Sequence, residues 1–193
     1  IRSHKISTLY STNSFVFSLC SNSEGNAILS GHGDRSIYIY SFDDNGGGPS
    51  HSKIIVHSAI PYALSWGGDN IVAAGNDQIV TFYGTDGDVI KEFDYSNENS
   101  TFHGEFQSAA FNPSGDTVVL GNFDAIATYN FDIKSHNWHE IEIKTIKNLY
   151  SITCLGWKYD GSRLAVGSFA GALDLFDACV RRHQYKRKFE FTY

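Results

Sequence analysis

The sequence predicts an all-β fold of short antiparallel strands, and three observations carry that reading. Apolar residues fall in brief β-branched and aromatic runs, clusters of Gly, Asn, Asp and Ser separate the runs, and helical spacing is almost absent. The runs also repeat. Four segments align: SLCSNSEGNAILSGHGDRSIYIYSF from Ser18, LSWGGDNIVAAGNDQIVTFYG from Leu64, SAAFNPSGDTVVLGNFDAIATYNFD from Ser108 and CLGWKYDGSRLAVGSFAGALDLFDA from Cys154. Each reads strand, turn, strand, tight turn, strand. The glycine closing the second strand falls at Gly31, Gly75, Gly121 and Gly167, at intervals of 44 to 46 residues. That period, with a further outer strand per unit, is a blade of a WD-repeat β-propeller.

The elements of a blade follow in chain order. First strands end in Trp66, Phe111 and Trp157, with the smaller Cys20 in the first copy, and these side chains are expected to fill the gap between blades. Turns such as Asn22-Ser23-Glu24-Gly25 and Asn112-Pro113-Ser114-Gly115 supply the residues a tight hairpin needs. Third strands are predicted at Ile37–Phe42, Ile79–Tyr83, Ile126–Phe131 and Leu173–Asp177, each alternating apolar residues with others. Outer strands are predicted at Ile54–His57, Val89–Tyr95, His139–Ile146 and Tyr185–Tyr193. Ile6–Tyr10 reads as the outer strand of a preceding blade. The repeats therefore run near 11–57, 58–95, 102–146 and 148–193.

WD repeats join a His and an Asp through a Ser or Thr to fix the turn between blades, and His57 with Asp77 fits that pattern. The other copies diverge. Asp34 and Asp124 keep the acid, the last copy has Ala170, and the His position holds Ser11, Phe102 and Asn148. No copy keeps the Trp-Asp dipeptide. The blade network expected to hold the fold is His57, Asp77, Asp34, Asp124, Trp66, Phe111 and Trp157.

Around seven blades close a ring, which needs roughly 300 residues. Four units and no methionine in 193 residues lead us to expect an incomplete segment of a larger ring. The net charge of −6 argues against a general nucleic-acid binder, and the 41% apolar content against disorder. No apolar run approaches the ~18 residues that span a bilayer, and no signal peptide opens the chain. Cys20, Cys154 and Cys179, widely spaced, suit a reducing, cytoplasmic setting as small core residues.

The stretch KTIKNLYSITCLGWKYDGSRLAVGSFAGALDLFDACVRRHQYKRKFEFTY, with ILSGHGDRSIYIYSFDD, PYALSWGGDNIVAAG and FDYSNEN upstream, resembles the N-terminal propeller region of the intraflagellar transport protein 172 family. That family is a peripheral subunit of the intraflagellar transport B complex. The resemblance implies a non-catalytic interaction scaffold in cilium assembly and ciliary cargo transport, located at the cilium and basal body region. Its partners would be other intraflagellar transport B subunits. It brings no catalytic residue with it, and no metal or cofactor is expected. The alternatives are an adaptor propeller of a vesicle coat or ubiquitin-ligase receptor, and a propeller enzyme.

Candidate chemistry is sparse. Arg181, Arg182, His183, Lys186, Arg187 and Lys188 form the one strong basic cluster, a docking patch for an acidic surface such as a tubulin tail or anionic lipid, or an edge guarded by charge. His136 and His139 with Cys154 lack the second pair of a zinc site. The loop Asp43–Pro49 lacks both the Gly-Lys-Ser/Thr of a phosphate loop and the terminal Glu of a calcium loop, and reads as a connector. Asp34, Asp77 and Asp124 recur once per repeat in the same turn, as structural residues do; a hydrolase would gather two of them across one cleft.

Overall fold

The computed structural model describes residues 6, 8–42, 50–97, 104–178, 182–185 and 189–192. They contain seventeen strands: β1 Val16–Ser21, β2 Ala27–His32, β3 Ser36–Ser41, β4 Ser50–Val56, β5 Ala63–Gly67, β6 Asn70–Ala74, β7 Ile79–Gly84, β8 Val89–Asp94, β9 Ser108–Phe111, β10 Thr117–Gly121, β11 Ala125–Asp132, β12 Asn137–Thr145, β13 Ile152–Trp157, β14 Arg163–Ser168, β15 Leu173–Asp177, β16 Arg182–Tyr185 and β17 Phe189–Thr192. They form four blade-like antiparallel sheets in meander order: β1-β2-β3-β4, β5-β6-β7-β8, β9-β10-β11-β12 and β13-β14-β15. The first strands β1, β5, β9 and β13 pack side by side, and the chain steps outward through each sheet before crossing to the next.

Strand alternation sends neighbouring residues to opposite faces, so the second and third sheets each feed two cores. On β6, Ile71 and Ala73 join Leu29, Ile37 and Ile55 of the first sheet, while Val72 and Ala74 join Val118, Leu120 and Tyr129 of the third. A third core packs Val119 and Ile126 against Ile152, Leu164 and Val166. The middle core is aromatic: Phe82 stacks on Trp138 with centroids 4.4 Å apart, and Phe111 and Phe131 approach the same indole.

The ladders give one register for all four sheets. Ser18, Ala63, Ser108 and Cys154 sit opposite Gly31, Ala74, Gly121 and Gly167. In the second copy the position therefore belongs to Ala74, and Gly75 lies one residue beyond it. Three residues along each first strand come Ser21, Trp66, Phe111 and Trp157, opposite Ile28, Ile71, Val118 and Leu164. Ser21, then, is the first copy's equivalent of the aromatics; Cys20 is one residue off and packs on the other face, toward the second sheet.

Three further expectations differ. Residues 6 and 8–10 form no strand, because no neighbouring strand offers them a ladder; Tyr10 instead stacks on Tyr40 and His51. In place of one outer strand at Tyr185–Tyr193, β16 and β17 pair with each other as a hairpin, satisfying their backbone groups locally, and the fourth sheet has three strands. Cys154 is exposed, lying on the face of β13 that no described residue covers. Cys179 and the loop Asp43–Pro49 lie outside the described residues.

Replacing Trp138, fully buried and stacked, by Ala should cost about 3–5 kcal/mol in urea unfolding. Tyr159→Ala, at a site 86% exposed, should change stability by less than about 0.5 kcal/mol.

Candidate interaction surface

Across each sheet one row of side chains faces the preceding sheet. In the second it is Trp66, Ile71 and Tyr83; in the third Phe111, Val118 and Tyr129; in the fourth Trp157, Leu164 and Phe176. The third-strand aromatic of the row reaches back to the outer edge of the sheet before it. Tyr83 Oη lies 2.8 Å from His57 Nδ1, just past β4. Tyr129 donates from Oη to Tyr95 Oη at 2.8 Å, just past β8, and Tyr95 bonds Glu140 in turn. The Lys144 ammonium of β12 sits 5.8 Å from the Phe176 ring centroid. Tyr10 stacks on Tyr40, the same position in the first sheet, at 5.9 Å.

A second contact repeats nearer the first strands. Ser18 donates to the carbonyl of Pro61, and Ser108 to that of Ile152 at 3.1 Å, each two residues before the equivalent position of the next sheet. Trp157 Nε1 donates to Ala110 O at 3.0 Å, and Trp66 Nε1 to Gly68 O within its own turn at 3.1 Å.

The tight turns hold the acids one by one. Asp34 accepts from Ser36 N at 3.1 Å; Asp77 accepts from Ile79 N at 3.2 Å and from the Ser58 hydroxyl. His57 and Asp77 thus have separate partners, Tyr83 and Ser58, and no Ser or Thr among the described residues links them. In the third sheet Asn122 holds the turn, accepting from Asp124 N and Ala125 N at 3.2 and 2.9 Å, while Asp124 Oδ1 is buried without a partner among the described residues. The three acids are spread over three turns, and among the described residues no group of His, Cys, Asp and Glu forms a metal-binding cluster. His136 and His139 are exposed, and His139 faces Ser135 Oγ at 3.2 Å.

Sequence reasoning missed Tyr83, Asn122 and a buried chain in the first sheet. There His32 lies 3.1 Å from Thr12 Oγ1 through Nδ1 and 2.8 Å from Ser30 Oγ through Nε2, with Tyr10 bonded to Ser30. The one available signal was a histidine directly after the closing position, where the other copies carry Gly75, Asn122 and Ser168.

Burial sets the protonation of these groups. Desolvation lowers His57 from 6.5 to about 4, against the pull of Asp77, so the imidazole is neutral at pH 7. Its Nε2 has no partner among the described residues. Burial pushes the Cys20 thiol and the Tyr83 hydroxyl each up to about 12.

Among the described residues, clefts open at opposite ends of the first strands. One, about 440 Å³, lies between the ends of β1, β5 and β9, with Trp66 and Phe111 in its wall. The other, about 410 Å³, lies where the connecting segments enter β9 and β13. Arg182 opens β16, while Arg181, Lys186, Arg187 and Lys188 lie outside the described residues.

The WD domain, G-beta repeat family matches residues 3–41. Along its whole length the chain is 46% identical to an intraflagellar transport protein 172 homolog of Danio rerio and to intraflagellar transport protein 172 of Chlamydomonas reinhardtii. It is 32% identical to intraflagellar transport protein osm-1 of Caenorhabditis elegans. The chain spans about a tenth of the length of these relatives, 11% of each.

His57 sets a pH dependence. Its folded pKa, about 4, lies below the ordinary 6.5, so its contribution is complete above pH 6.5 and is lost as pH falls toward 4. The loss should reach about 3 kcal/mol, and His57→Gln should flatten this limb of the stability profile in urea titrations at pH 7.5, 5.5 and 4.

Proposed function

We propose, from the premise that the chain is a WD-repeat region homologous to intraflagellar transport protein 172, that it serves as a non-catalytic scaffold within a larger subunit of the intraflagellar transport B complex. In this role it acts in cilium assembly and ciliary cargo transport, at the cilium and basal body region. Its partners are the other subunits of that complex. The observation that carries the reading is identity of 46% sustained over the whole chain rather than at one repeat.

The structure supports it in kind. Interlocked sheets present connecting loops from a framework whose cores are shared between neighbours, so a loop's position is fixed by two sheets at once. Leu173 is 75% exposed, whereas Ile37, Val80 and Ile126, its equivalents in register, are buried by the following sheet. A further blade of the same ring would cover it. The basic cluster Arg181, Arg182, Lys186, Arg187 and Lys188 supplies a docking element for an acidic surface, a tubulin tail or a membrane.

Affinity capture from ciliated-cell extract with the full-length protein should recover intraflagellar transport subunits. A folded bait that recovers none, or recovers coat or ubiquitin-ligase components, overturns the ciliary reading. Neutralising the five basic residues should weaken binding to tubulin or to anionic vesicles by about tenfold or more while leaving the melting temperature unchanged. Unchanged binding to both removes the cluster from the surface's function.

A further inference from the structure

We draw no further inference here: the strongest candidate, the outer edge of β12, where Ile141 stands 62% exposed between Glu140 and Glu142 at the end of its sheet, carries nothing, because nothing in the structure shows what covers it and charged side chains on an edge strand serve equally to keep that edge free.

Discussion

The structure depends on one contact made four times: an aromatic side chain at a fixed position of each third strand reaches back to the segment preceding its sheet. Tyr40 meets Tyr10, Tyr83 meets His57, Tyr129 meets Tyr95, and Phe176 meets Lys144. The chemistry varies between stacking, hydrogen bonding and cation–π attraction, but the geometry is constant. A sheet with a single buried face is marginal on its own; joining each third strand to its neighbour's outer edge lets two sheets share a core at their outer strands as well as at their first strands. The His57–Tyr83 pair shows the cost, since it leaves Nε2 of a buried imidazole without a partner among the described residues.

At the first strands the constraint is close approach. A Cβ added at Gly31 would stand 2.3 Å from Ser18 Oγ, and one added at Gly121 would stand 2.4 Å from Ile152 Cγ2. Those glycines give the Ser18 and Ser108 hydroxyls room to reach the next sheet's carbonyls. In the second sheet both partners are alanine, so that cross-sheet bond is absent, and the aromatic core around Phe82 and Trp138 lies on that side. Close backbone approach and large side-chain packing are thus exchanged between neighbouring sheets within one register.

Much of this was legible in the sequence, because period-two alternation and turn chemistry are local. The repeat, the third strands and the turns at Gly25, Gly115 and Gly161, all with positive φ, follow from short-range patterns. Register was not. Gly75 mimics Gly31 in composition, yet the ladder puts Ala74 in that place, because a pair of alanines fits the close approach as a glycine and a serine do. The ends were misread for a related reason. A strand exists only beside another strand, and the sequence around Ile6–Tyr10 or Tyr185–Tyr193 does not state what lies alongside. Side-chain partners across sheets were the least legible: no local rule links His57 to Tyr83, twenty-six residues apart.

The most direct measurement is a double-mutant cycle across the boundary between the first two sheets, with His57→Leu, Tyr83→Phe and the pair compared by urea unfolding of the full-length protein. If the backward-reaching aromatic couples neighbouring sheets, the two changes will be non-additive by about 0.5–3 kcal/mol. Additivity to within about 0.3 kcal/mol would contradict it, and would leave the shared apolar cores alone to join one sheet to the next.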